Sequence, residues 1–582
     1  MNDLELLSAY EPIARFNTGE LFFPTAVEDY VVCCDLMERV AGQAPNLVVS
    51  RGELTLDRLA ERGAAHPGTG MYLRLVDEPF SRAKTTIWRH RSERPRFRHA
   101  SRLARVGVLS RVVDALSRIS LMFRGKVAKG TEAAAEALYR ERMRTEHHPY
   151  YGRVVRAGGY VALQYWMFYP FNDWRSRIYG VNDHEADWEQ VVVYLAEQPE
   201  GPPLPAWVVF SAHDETGDDL RRRWDDPDLT RVGDHPVVFA GLGSHSGAYL
   251  AGEYLTSFDP PAFKRFIRFS RRVNRLLLPW TRGKAQAGVG IPYIDYARGD
   301  GLSIGPGQDR EWSPVLIDDE TPWVFDYQGL WGNDTADPLG GERGPAGPRY
   351  EKSATVRHPW GDVVGWSGLS KLAPNHAVAA DLIRLRLGEL EEEAAALTVN
   401  VDSARAQLRA DVASGVPVTL AQELDLDALA AQRVRLGDER RRLNTRLVNP
   451  PPTPGPHDHL RHRHLPNTHE TRNRLRFLSL WSAVSTPLLL TALGLAVLPN
   501  RSLAILTTIV VWTLVVLGIE AAARRHFVGY LVGVIVLVLA VAVVAGFVVS
   551  VITWGWRYAF AGTFWTLAAI LLFANVQELS RD

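Results

Sequence analysis

Four long apolar runs close this chain: Phe477 to Leu498, Leu503 to Ala523, Phe527 to Ile552 and Tyr558 to Val576. About 20 apolar residues cross a hydrocarbon layer of about 30 Å, and each run has that reach. Helices this apolar present no polar face, which excludes burial in a soluble helical bundle as their fate. The runs therefore predict a four-helix transmembrane bundle over 472–582. Trp481, Trp512, Trp554, Trp556 and Trp565 include several near run ends, where an aromatic belt is expected. Arg472, Arg474 and Arg476 precede the first run, and Arg524 and Arg525 divide the second from the third, whereas the other connections carry Arg501 and Arg557. By the positive-inside rule, both termini and the middle loop are expected in the cytoplasm. Glu520 is the sole acidic residue within a run, and Arg524, one helical turn later, is its expected ion-pair partner.

The remaining length is too great for one core, since a chain of 582 residues holds two to four units at about 100–200 residues each. Apolar residues at 46% and charged residues at 23% are ordinary globular usage. Lys plus Arg equals Asp plus Glu at 66 each, so the basic excess of a dedicated nucleic-acid binder is absent and no nucleic-acid partner is expected. Cys33 and Cys34 are adjacent and have no other partner, which excludes a disulfide framework and fits a reducing compartment. Met1 to Phe16 carries Asp3, Glu5 and Glu11 without the apolar core of a secretory signal, so the N-terminal part is expected to stay inside the cell.

Upstream of the apolar runs, Ile383, Leu387, Leu390, Ala394, Leu397, Val401, Ala404 and Leu408 recur at spacings of four and three. That is the seam of a coiled coil. Ser414-Gly415-Val416-Pro417 breaks it, and Thr419 with Gln422 offers a capping box for a second helix with Leu429, Leu436 and Leu443 along its seam. The segment 375–448 is thus expected to be a helical hairpin with arms of about 45 Å, a stalk or a homo-oligomer contact. Residues 449–471 follow as a linker rich in proline and histidine, including His457, His459, His462, His464 and His469, expected to be solvated and without the carboxylate framework that would fix a metal. Two stretches are locally basic: Arg89 to Lys129 holds twelve Lys or Arg, and Phe263 to Lys284 holds eight with no acid. Their interleaved apolar residues suit contact with an anionic membrane surface, or packing on the domain with a solvated outer face.

The chemistry concentrates in the first 374 residues. Tyr160 to Tyr169 reads as a strand and is followed by Asp173 in a loop; His184-Glu185-Ala186-Asp187-Trp188-Glu189 then leads into a second strand, Gln190 to Leu195. Strand alternation puts Asp187 and Glu189 on one face and Trp188 on the other. Two adjacent carboxylates stay ionised only beside a cation or a proton. Asp173, His184, Asp187 and Glu189 are the candidate metal ligands, and this oxygen-rich set with one imidazole suits Mg²⁺, Mn²⁺ or Ca²⁺. His245, in the loop Gly241 to Ser246 after the strand Pro236 to Ala240, is the candidate catalytic acid–base group facing the same pocket. His213 and Asp214 are a lesser candidate pair.

Several short motifs occur in order: Tyr10-Glu11-Pro12, Glu20 to Pro24, Gln164-Tyr165-Trp166, Phe171 to Trp174, His184 to Glu189, Asp234 to Val237 and Gly243 to Ser246, with Gly329 to Gly332 and Gly344 to Pro348 closing the series. Together they resemble the vacuolar protein sorting-associated protein 62 family over about residues 8 to 350. The His184 to Glu189 core also resembles the heptapeptide of the necrosis-inducing proteins, β-sandwich toxins that bind a divalent cation and a sphingolipid sugar headgroup. That resemblance implies metal ligation by Asp173, His184, Asp187 and Glu189, with His245 nearby. It departs where the toxin motif has a glycine and a second histidine, since Asp183 and Ala186 stand there. Toxin activity itself is not implied.

The expected whole is a multidomain α+β chain: a cytoplasmic β-sandwich with helical insertions over 1–374, the coiled-coil hairpin, the linker and the membrane bundle. Three functions fit it. The β-domain binds a divalent cation and through it a membrane lipid or sugar headgroup; or it is a metal-dependent hydrolase in which His245 moves protons; or it regulates or assembles the membrane bundle.

Overall fold

The computed structural model describes residues 2–40, 42–91, 104, 111, 130–174, 183–211, 217–258, 291–333, 344–450, 454–460, 465–466, 472–498, 502–558, 560–566 and 568. The chain divides into two compact units. One comprises Met1–Arg98, Leu116–Thr256 and Tyr293–Thr468; the other comprises His99–Ala115, Ser257–Pro292 and His469–Asp582.

The first unit is built on a six-stranded sheet. Its strands are β5 (His148–Ala157), β6 (Tyr160–Asn172), β7 (His184–Ala196), β8 (Leu204–Phe210), β9 (Arg222–Arg223) and β16 (Trp312–Leu316), in the order β16-β5-β6-β7-β8-β9. All neighbours are antiparallel except β16 and β5. The apolar run that predicts a strand ending at Tyr169 continues through Pro170 to Asn172, and β7 begins at His184 rather than Gln190. Every residue of β6 and β7 is buried, as a strand covered on both faces requires.

Alternation along β6 decides which core each side chain joins. Leu163, Tyr165, Met167 and Tyr169 share a cluster with Ala14 and Phe16 of β1 and its C-terminal flank (β1, Ile13–Arg15), Val238 and Ala240 of β11 (His235–Ala240) and Ile304 of β15 (Ser303–Ile304). Strands β1, β11 and β15 belong to a second sheet, ordered β10-β11-β1-β15 with β10 at Arg231–Val232, and β12 (Gly247–Ala248) also pairs with β11. On the other face Trp166 and Phe168 join Trp188, Trp323 and Trp331. The Trp188 ring lies 5.0 Å from Phe168 and 5.4 Å from Trp331 between centroids. A fully buried side chain of the Phe168 kind contributes about 1.5–3 kcal/mol from apolar burial. A three-stranded sheet, β3-β2-β4 (Asn46–Val49, Asp35–Glu38, Met71–Arg74), and a two-stranded pair, β13 and β14 (Gly252–Phe258, Ile291–Ala297), complete the strands described.

Two long helices follow, His376–Ala413 and Leu420–Val448. Asn375 caps the first through its Oδ1, which accepts from Val378 N, and Thr419 with Gln422 forms the expected capping box on the second. Leu390, Leu397 and Val401 are buried, and the other five seam positions of the first helix are half-buried. Arg386 crosses to Glu439 at 3.0 Å.

Among the described residues of the second unit, three helices are long and apolar enough to cross a membrane: Arg474–Val497, Leu503–Ala523 and Phe527–Thr553. The expected fourth span lies mostly outside the described residues. So do nearly all of both basic stretches, as well as His213, Asp214, His462, His464 and His469. Glu520 accepts from Arg524 Nε at 2.9 Å as expected, and Arg111 adds a second partner that local spacing did not indicate. Arg111 also donates to Thr486 Oγ1 at 2.8 Å and Ser485 Oγ at 3.2 Å.

Candidate functional site

The carboxyl end of β6, the opening of β7 and the loop after β11 meet at one place. Asp187 Oδ2 accepts from Asn172 Nδ2 at 3.1 Å and lies 2.9 Å from His245 Nδ1, while its Oδ1 accepts from Trp188 N at 3.1 Å. Glu189, on the same face, accepts from Ser211 Oγ at 2.7 Å. His184 Nδ1 lies 2.7 Å from Ala186 O, so Nδ1 carries the proton and the Nε2 lone pair is on the opposite edge of the ring. Asp173 is buried against the His245 loop, its backbone N–H donating to Gly243 O. Three of the four expected ligands, Asp173, Asp187 and Glu189, therefore pack around His245 or share the face that meets it, whereas the His184 ring is engaged with its own strand.

Ala186 has φ +59°, a left-handed conformation that costs an L-residue about 1–2 kcal/mol. It breaks the period of two. Glu185 consequently reaches the core opposite to Asp187, where Leu75 N, Val76 N and Asn333 N donate to its carboxylate. Burial pushes the Glu185 carboxyl up to about 7, against the lowering effect of these donors.

His245 itself has φ +57°, and the loop around it is clamped. Ser244 Oγ and Ser246 Oγ donate to Asp295 at 2.8 and 2.5 Å. Gly243 N donates to Glu20 Oε2 at 2.9 Å. Gly243 has φ +71°, and a Cβ there would stand 2.1 Å from Asp173 Oδ1, so only glycine fits. The His245 ring stacks on Tyr169 at 3.8 Å between centroids, and its Nε2 lies 3.8 Å from Glu20 Oε1. Burial alone would lower the imidazole pKa; hydrogen bonding and charge from Asp187 and Glu20 overcome it and push it up to about 10. His245 is thus an enclosed imidazolium at neutral pH. Burial, then the charges of Glu189, Asp187 and Glu20, raise the Tyr169 hydroxyl well above its usual range, so this ring senses all three carboxylates. Arg357 brings a further cation near the cluster. Its guanidinium donates to Tyr350 O, Gly347 O and Ala346 O and feels the charges of Glu189 and Asp187.

Sequence reading missed Glu20, Asn172, Asp295 and Arg357 as site residues. Glu20 and Asn172 fall inside quoted motifs, which was the available signal; Asp295 and Arg357 carried none. The three donor residues that converge to within 4.8 Å of one another among the described residues lie elsewhere: Asp226, Asp228 and His457, an arrangement able to hold a metal ion. The linker was expected to be solvated and to lack carboxylates. Its described part instead lies against the β-domain, because the turn after β9 supplies them.

No family model matches this chain, and no curated protein matches it, so the expected vacuolar protein sorting-associated family gains no support from either comparison. Weak similarity to necrosis-inducing proteins is found among solved structures. The non-toxic HaNLP3 protein is 20% identical with a TM-score of 0.14, covering 16% of this chain and 40% of that one. Necrosis and Ethylene inducing Protein 2, from the causal agent of cocoa's Witches Broom disease, is 21% identical with a TM-score of 0.15, covering 19% and 48%. NLPPya in complex with mannosamine is 20% identical with a TM-score of 0.13, covering 17% and 42%. The chain spans less than half the length of each, and at these scores the likeness carries no argument about fold or activity.

Proposed function

We propose that this is a membrane-anchored protein whose first 374 residues form a cytoplasm-facing, sandwich-like β-domain that binds a divalent cation and, through it, the hydroxyls or phosphate of a lipid or sugar headgroup. The observation that carries this reading is the gathering of oxygen donors beside His245. Glu20, Asp173, Asp187 and Glu189 are buried carboxylates, and the charges of Glu20, Asp187 and Glu189 act together on the Tyr169 ring that stacks on His245. Carboxylate oxygens brought together in a buried place are the donors that a hard divalent ion takes. Asp173, Asp187 and Glu189 with the Nε2 edge of His184 would hold it, and oxygen donors with one imidazole suit Mg²⁺, Mn²⁺ or Ca²⁺. When bound, the ion supplies a Lewis-acidic centre for ligand oxygens.

The state of His245 favours binding over hydrolysis. Its ring is buried, stacked on Tyr169 and fixed between Asp187 and Glu20, so it orders the site. The test uses the detergent-solubilised full chain on arrays of sugar and phospholipid headgroups, with Mn²⁺, Mg²⁺, Ca²⁺ or a chelator. Binding that requires the cation and is lost in Glu189→Gln, with no ligand turnover, is the expected result. Binding indifferent to chelation and to Glu189→Gln would remove the reading.

A further inference from the structure

We propose that Asp226, Asp228 and His457 form a second metal site, of the Zn²⁺ class, that clasps the proline- and histidine-rich segment to the edge of the main sheet. The carboxylates come from a tight Asp226-Pro227-Asp228 turn directly after the edge strand β9. Asp226 N donates to Arg223 O and Leu229 N to Asp226 O, while Asp228 N donates to Asp226 Oδ1 at 2.8 Å. The imidazole comes from a second turn, in which Gly455 N donates to Asp458 Oδ2 at 2.7 Å and Leu460 N to His457 O. These turns are separated by more than two hundred residues of sequence, yet His457 Nε2 lies 2.9 Å from Asp226 Oδ1 and 3.2 Å from Asp228 Oδ2. Tetrahedral zinc with bonds of about 2.0–2.2 Å has ligand-to-ligand edges of about 3.3–3.6 Å, so a small outward movement opens the trio to the ion.

A second observation points to a ligand. The Asp226 side chain is 0% exposed, its Oδ2 accepts no hydrogen bond, and the closest cation, Arg222 Nε, stands 3.8 Å away. The Arg222 guanidinium is committed to the carbonyls of Leu220 and Arg221 and to the face of Tyr249. Two carboxylates and an imidazole brought this close form a donor set that a divalent ion completes. Imidazole with carboxylate suits zinc, and a fourth position remains for water. The rest of the segment is already seated: Arg223 donates to Pro454 O at 2.7 Å, and His459 Nε2 bonds Arg221 O at 2.9 Å with its ring edge-on to Trp207. A metal here converts a polar contact into a lock on the chain between the hairpin and the first membrane-length helix.

The site is independent of the His245 cluster, and the experiment separates the two. Chelator-stripped full-length protein in detergent is titrated with ZnCl₂, bound zinc is counted by elemental analysis, and tryptic cleavage after Arg461 and Arg463 is timed. Zinc is expected to slow cleavage by about tenfold, following site occupancy by mass action. Asp228→Asn and His457→Gln should each lose one bound zinc and the protection, while Glu189→Gln keeps both. His457 is half-buried whereas Asp228 is buried, so unchanged thermal unfolding without metal is the check that each variant keeps the fold. Zinc that leaves cleavage unchanged, or a zinc count unaltered by both substitutions, overturns the proposal. Faster cleavage in the variants at every zinc level would identify a plain ion pair and overturn it equally.

Discussion

Among the described residues, carboxylates gather around His245, whereas around Glu520 two guanidiniums, Arg111 and Arg524, meet on one carboxylate. Both clusters are buried, and both are assembled from residues remote in sequence. The proportions differ, and so does what each can recruit. An acid in a membrane-length helix is a functional group by default, but Glu520 is held on both oxygens, and Arg111 is further satisfied by Ser485 and Thr486. Such a cluster interlocks helices and leaves no charge for an ion. The acid-rich cluster instead gathers oxygen donors, the groups that the proposed cation site would use.

The contrast breaks most visibly when either anchor is removed. Glu520→Ala strands Arg111 and Asp187→Ala strands His245, each expected to cost about 3–5 kcal/mol as an uncompensated buried charge. Thermal unfolding of the solubilised chain, followed by tryptophan fluorescence, reads both; a loss within the surface range of about 1 kcal/mol would mean that the charges are solvated. Next in size is the response to cation. Mn²⁺ or Ca²⁺ at about 100 times its dissociation constant should add about 2.7 kcal/mol. Glu189→Gln should abolish this gain and Glu520→Gln should leave it intact, as calorimetry with and without chelator would show.

An effect of comparable size follows pH. The folded pKa of His245, about 10, stands above its unfolded value of about 6.5, so its stabilisation is complete below pH 6.5 and is lost as pH rises through 10. The slope approaches about 1.4 kcal/mol per pH unit, and His245→Gln should flatten it in urea titrations between pH 7 and 10. Glu185 acts in a lower window: burial favours its protonated form, so its contribution falls as pH rises from about 4.3 to about 7. The smallest expected change is Ser246→Ala, which removes one of two hydroxyl donors to Asp295 and should cost about 1–2 kcal/mol in the same titrations.

Much of the architecture was legible because it rests on local periodicity. The seam positions from Ile383 to Leu408 are buried or half-buried on one long helix, and three of the four apolar runs are membrane-length helices among the described residues. Trp188 enters the aromatic core and Asp187 turns away from it, as alternation predicts. The failures are equally physical. A left-handed Ala186 cannot be read from a pattern that assumes alternation throughout. Glu20 reaches His245 across more than two hundred residues, and neither Arg357 nor Asp295 stands in a local pattern that marks a site. The segment bearing His457 looked solvated because proline and histidine report composition, whereas its docking depends on an aspartate turn elsewhere in the chain.

The hairpin between Asn375 and Asn449 has a consequence of its own. Asn375 Nδ2 donates to Glu197 O at 2.6 Å where the chain leaves, and Pro454 O is held by Arg223 where it returns. The outgoing arm, 38 residues, measures about 57 Å at about 1.5 Å per residue. With both feet planted on one body, it is a detachable mast: matched turns trimmed from its two arms would alter how far it extends while leaving both proposed cation sites undisturbed.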